Sequence, residues 1–171
     1  DDARVVERFN TTVELTPDNP AGYTNLAAAY YMLGDFERAG EAYEASLALA
    51  PTRTVYTNTG LMYYYTGRFD LAVEMQQRAV ELAPEDHRIW GRLAESARFV
   101  TGMEEQTQLA YQRAYELATV RLRINPRDAD TIGHLALYAA HLGKHAETDA
   151  LLVRGFDVAR DDPDMHYFAA L

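Results

Sequence analysis

The sequence predicts an all-α fold, a right-handed superhelical solenoid of antiparallel helix pairs. Three observations predict it. Gly34 to Gly67 and Pro51 to Pro84 are both spaced by 33 residues. Small residues, Ala27 and Gly60 and then Ala39 and Ala72, recur at matching offsets between those markers. Apolar residues such as Tyr23, Leu26, Ala27 and Tyr30 recur at helical spacing and so share one face. Each glycine supplies a turn conformation that a side chain resists. Each proline stops a helix, because it lacks the amide proton and its ring clashes with the preceding turn. One helix pair cannot bury its apolar face alone, so neighbouring pairs must stack.

The elements follow in order as one solenoid over 1–171. Residues 1–18 read as the second helix of a preceding repeat, with Val5, Phe9 and Val13 inward and Pro17 as its stop. Repeats span 19–52 and 53–86. The third, 87–127, is stretched: Pro84 to Pro126 is 42 residues, so the helix from about Met103 to Ile124 is two turns too long. It should protrude or shift the next repeat. The fourth, 128–162, turns at Gly143 and has Thr148 and Gly155 where alanines are usual. Residues 163–171 read as the start of a truncated fifth repeat, so the chain reads as a piece cut mid-repeat at both ends.

Composition removes several classes. An apolar share of 48% excludes a disordered polymer. The net charge of -10 argues against nucleic acid and anionic membranes, because phosphates need a basic face. No apolar run is long enough to span a membrane, and Asp1 and Asp2 stand where a signal peptide needs a basic start. A cytoplasmic location is favoured. Cysteine is absent, which removes disulfides, thiolate metal sites and cysteine nucleophiles.

The pattern resembles the tetratricopeptide repeat, a helix-turn-helix unit of about 34 residues. Tyr23, Tyr56, Trp90 and Ile132 fill its early large slot. Ala27, Gly60, Ala94 and Ala136 fill the small slot, and Ala39 and Ala72 the second small slot. Gly34, Gly67 and Gly143 take the turns, and Pro51, Pro84 and Pro126 end the second helices. A regular repeat pair, a long YQRAYELATVRLRINPRDAD helix and a looser repeat are together similar to the repeat arms of bacterial signalling proteins. That likeness implies a regulatory or scaffolding arm of a larger protein.

No catalytic motif is present: there is no phosphate loop, no GxGxxG, no HExxH and no GxSxG. Ser46 and Ser96 sit among alanines in helical patterns and read as structural. His134 and His141 are seven residues apart on one helix, ~10 Å along its axis, too far to share a metal. Asp161, Asp162 and Asp164 lack the glycine and distal glutamate of a calcium loop and read as helix capping. No enzyme, cofactor or metal is expected.

The resemblance implies that the first helix of each repeat lines a concave groove. The expected groove residues are Asn25, Tyr31, Asn58, Leu61, Tyr64, Tyr65, Arg88, Arg92, Arg98, Phe99, His134 and His141, with Thr57 and Glu95 alongside. Tyr30 and Tyr63 should face the core. Tyrosines offer stiff contact area with a polar tip. Arg88 and Arg92 share a helix face and can fork onto a carboxylate or phosphate. Some relatives clamp a C-terminal carboxylate in this groove. Asn58, Arg88 and Arg92 match three positions of that clamp, while Thr24 and Ala28 occupy the other two. The leading reading is a module that binds a protein or peptide, with an acidic group near Arg88 and Arg92. A structural spacer or homo-oligomerising solenoid is the second reading, and a small-ligand or enzymatic groove the third.

Overall fold

The computed structural model describes residues 2–159 and 163–170, and side chains from residue 4 onward. Asp161 and Asp162 of the expected capping turn lie outside the described residues; Asp164 is in the first turn of the last helix. Among the described residues every regular element is helical.

The chain falls into two compact units. The first, 1–83, holds α1 (Asp2–Leu15), α2 (Pro20–Met32), α3 (Phe36–Leu49), α4 (Arg53–Tyr65) and α5 (Phe69–Leu82). The second, 84–171, holds α6 (His87–Ala97), α7 (Glu104–Ile124), α8 (Ala129–His141), α9 (His145–Val158) and α10 (Pro163–Ala170). Helices α2 with α3, α4 with α5, α6 with α7 and α8 with α9 pack as hairpins.

Local chemistry sets the helix starts. The side chains of Asn19, Asp35, Thr52, Asp86 and Asp128 each accept a hydrogen bond from a first-turn amide. Gly34, Gly67 and Gly143 turn at φ 73°, and Gly102 at 84°. Gly102 is the turn glycine that the spacing did not mark. It follows Gly67 by 35 residues: α6 has 11 residues where α2, α4 and α8 have 13, and the longer turn Arg98–Gly102 more than makes up the difference. Gly67→Ala should lower the unfolding free energy by about 1 kcal/mol, since space is open there and only the positive φ opposes a methyl group. A urea titration checks this, and an unchanged midpoint would contradict it.

In the first unit Leu26, Ala27, Tyr30, Ala39, Ala42, Tyr43 and Met62 form the core, and Tyr63 is also buried. The small slots are fully closed: Ala27, Ala39, Ala72 and Ala94 have no exposed area. The inward stripe of α1 is Val6, Phe9 and Val13, not Val5. Val5 lies one residue out of phase on the helix and faces solvent.

In the second unit α7 has 21 residues where α3, α5 and α9 have 14, two turns more. In this unit His87, the first residue of α6, meets Tyr138, the tenth residue of α8. The Tyr138 ring covers Gly91, where a Cβ would stand 2.5 Å from its hydroxyl.

The unusual residue at 155 also has a cause. Met165 of α10 packs directly onto Gly155, and Phe168 packs onto Gly133 of α8. Any Cβ at either position would collide with those side chains. Helix α10 is therefore seated through two knob-on-glycine contacts.

Candidate functional site

The expected groove residues divide between the two units. In the first, five rings cluster where first helices end and second helices begin. Tyr65, the last residue of α4, stacks on Phe36, the first of α3, at 4.7 Å and 26°. Tyr31 lies 6.3 Å from Tyr65 and 5.9 Å from Phe36. Tyr64 meets Tyr65 and Phe69 edge-on at 5.9 and 5.7 Å. Phe36 and Phe69 are partners the sequence did not flag, because they open second helices.

The other expected residues of this unit separate. Asn25 is exposed. Asn58 donates to the Tyr43 hydroxyl at 3.3 Å, so its amide helps hold the core tyrosine. Leu61 packs against the core, and Thr57 is buried with its hydroxyl on the Arg53 carbonyl. Both side chains contribute to packing.

In the second unit a cavity of about 270 Å³ opens between α6, α8 and α10. One wall is Arg88, Gly91, Arg92 and Glu95; the second is Asp130, His134, Leu137 and Tyr138; the third is Asp164, Tyr167 and Phe168. Helical spacing places Arg88, Arg92 and Glu95 on one face of α6. Arg88 pairs with Asp86 through two contacts of 3.2 and 3.3 Å. His134 donates from Nδ1 to the Asp130 carbonyl at 2.9 Å and lies 3.3 Å from the Asp130 carboxylate. Its ring meets Phe168 at 4.9 Å.

Two expected residues of this region are held away from the cavity. His141 stacks on Tyr111 at 4.4 Å and 14°, and its Nε2 is 3.1 Å from Glu95. Arg98 pairs with Glu95 at 3.4 Å and lies over the Phe99 ring at 5.1 Å. Phe99 itself is about half exposed at the end of α6. The cavity residues absent from the sequence reading are chiefly Asp130, Tyr138, Tyr167 and Phe168. The spacing of Asp130 and His134, one turn apart, is the signal that was available for the first. The other three depend on how α8 packs on α6 and on the seating of α10.

The electrostatics follow from these contacts. Burial pushes the His87 imidazole down to about 4, and the nearby His134 adds to the shift. The Tyr138 hydroxyl donates to the His87 carbonyl at 3.2 Å, so the hydroxyl oxygen is left to accept from His87 Nδ1–H at 3.3 Å. The hydrogen bond from His134 holds the Asp130 carboxyl below its usual range and outweighs its partial desolvation. Burial alone would raise Glu95, but the His141 and Tyr111 hydrogen bonds and the Arg98 charge outweigh it. Asp86, Glu95 and Asp130 are therefore ionised at neutral pH.

Among the described residues no cluster of three or more His, Cys, Asp or Glu side chains can hold a metal ion. Among them no helix is long and apolar enough to cross a membrane. Ser46 and Ser96 are buried and bond to the carbonyls of Pro20 and Arg92.

The family profile of the tetratricopeptide repeat matches residues 18–85. No curated protein matches the chain as a sequence. Among solved structures, the chain is similar to residues 41-end of MamA from Desulfovibrio magneticus RS-1, at 18% identity over 95% of this chain and 88% of that one, with a TM-score of 0.69. A double mutant of MamA RS-1 aligns at 18% identity over 93% and 85% with a TM-score of 0.70. The Cut9–Hcn1 hetero-tetramer of APC/C aligns at 15% identity over 99% of this chain and 39% of that one, with a TM-score of 0.55. At such identities the likeness is one of fold. Residues 18–85 belong to the tetratricopeptide-repeat family, and the described chain as a whole has the all-helical fold of that family's solenoids.

Proposed function

We propose that the chain is a protein-interaction module whose second unit receives an acidic side chain or terminal carboxylate of a partner segment. One observation supports the reading: Arg88 and Arg92 on one face of α6 share the cavity with the rings of His134 from α8 and of Tyr167 and Phe168 from α10. Neither arginine is needed to close a small slot of the fold. Guanidinium groups fork onto carboxylates, and the aromatic rings take the apolar body of the same residue. The cavity volume of about 270 Å³ lies just under the range of about 300–1,000 Å³ typical of small-molecule sites. It suits one or two side chains of a peptide better than a whole metabolite. The aromatic cluster of Tyr31, Phe36 and Tyr65 offers a further contact surface on the first unit.

Peptides selected by phage display on the immobilised chain provide the test. Arg92→Glu should weaken them about tenfold or more, because the substitution places a carboxylate where the partner's carboxylate sits. Far-UV circular dichroism should remain unchanged. Unchanged affinity in a folded variant would overturn the reading.

A further inference from the structure

The two additional turns of α7 carry a feature that the repeat does not require. Residues 117–127 contain Arg121, Arg123 and Arg127 and no acidic residue, in a chain with 26 carboxylate and 16 cationic side chains. Arg121 is taken up by Asp128 at 3.0 Å and by the Thr131 hydroxyl at 3.0 Å. Arg123 and Arg127 are exposed and have no carboxylate partner among the described residues. Between them Ile124 is 83% exposed, and Val120, one turn earlier on the same face, is 52% exposed.

This end of the helix is also fixed in place. The Asn125 amide donates to the Arg121 carbonyl at 3.0 Å, and the Asp128 amide to the Asn125 carbonyl at 3.3 Å. Arg154 of α9 donates to the Pro126 carbonyl. Leu122 is buried beneath and anchors the last turn. A surface held in this way loses little conformational freedom when a partner docks.

We propose that the last two turns of α7 and the turn after them form a docking surface for an acidic protein segment that carries an apolar side chain. Charge complementarity identifies the occupant: two unpaired arginines flank an exposed isoleucine on an acidic chain. A protein segment fits better than a polyphosphate or a membrane. Two arginines supply few of the phosphate contacts that a nucleic acid or an anionic membrane needs. An apolar side chain on the partner would cover Ile124, which nucleic acid cannot do as well. None of these residues lines the cavity between α6, α8 and α10, so the surface is independent of that site.

The probe is a labelled glutamate-rich peptide with leucines at helical spacing, titrated at low salt by fluorescence anisotropy. Its control has serines in place of the leucines. The wild-type chain should bind the leucine peptide, and the serine peptide should bind more weakly. The double variant R123E/R127E should lose affinity about tenfold or more, R123K/R127K should retain most of it, and Ile124→Ser should weaken it. Arg92→Glu should leave it unchanged, which separates this surface from the cavity. Equal binding by folded R123E/R127E would overturn the proposal. So would binding to phosphatidylserine vesicles or duplex DNA without binding to the peptide.

Discussion

Tyr138→Ala should lower the stability of the second unit by about 3–5 kcal/mol, the range found when a large aromatic side chain is removed from a core. The ring is 1% exposed. It covers Gly91, tilts against Tyr111 at 6.5 Å and meets His134 at 6.1 Å. Its hydroxyl serves both the carbonyl and the ring nitrogen of His87. Truncation therefore opens a void and leaves buried polar groups unpaired, and both effects destabilise. Because whole domains are stable by only about 5–15 kcal/mol, the loss is a large share of the total. Tyr138→Phe separates the two contributions: it keeps the ring and should cost about 1–2 kcal/mol. Trp90, the single tryptophan, lies in the same unit and reports its unfolding in urea. A loss under about 1 kcal/mol for Tyr138→Ala would show that the ring is not the wedge between α6 and α8.

His87 should make stability depend on pH. Its folded value of about 4 lies below the ordinary histidine value of 6.5. The unfolded chain therefore takes up the proton first as pH falls. The stabilisation is complete above pH ~6.5 and declines toward pH ~4. Between pH 7 and 5 the loss should be about 2 kcal/mol. Asp86 and Asp130 are held below their usual carboxylate range, so both stay ionised across that window and add no slope there. Glu95 is likewise held low. Urea midpoints at the two pH values, in wild type and in His87→Gln, decide the matter. The variant should flatten the dependence. A wild-type protein equally stable at both values would contradict the assignment.

The turns and small slots were legible in the sequence because each requirement falls on one residue type. A positive φ asks for glycine, and a helix crossing with no exposed area asks for alanine, so Gly34, Gly67, Ala39 and Ala72 declare themselves. The long α7 was legible from the proline spacing alone. Its consequence was only partly so. Spacing says that α7 is long, but not that Tyr138 of α8 packs onto Gly91 beside His87. Helical phase was read one residue wrong in α1, where Val5 and Val6 are chemically alike and only packing tells them apart. Among the candidate binding residues, Arg88, Arg92 and His134 do meet around one cavity. Tyr31 and Tyr65 were expected along the groove, but they pack at the turn against Phe36, the first residue of the second helix. Leu61 and Thr57 are drawn into packing. The seating of Met165 on Gly155 and Phe168 on Gly133 pairs a glycine with a residue ten and thirty-five positions away, and no local pattern marks such a pair.

The most direct test of the interaction reading is the footprint of a selected peptide, measured by amide hydrogen exchange on the intact chain. Binding should slow exchange in α6 around Arg88–Glu95, in α8 around His134–Tyr138 and in α10 around Asp164–Phe168. Protection confined to other segments, with these three unchanged at saturating peptide, would contradict the assignment of the cavity between α6, α8 and α10 as the recognition site.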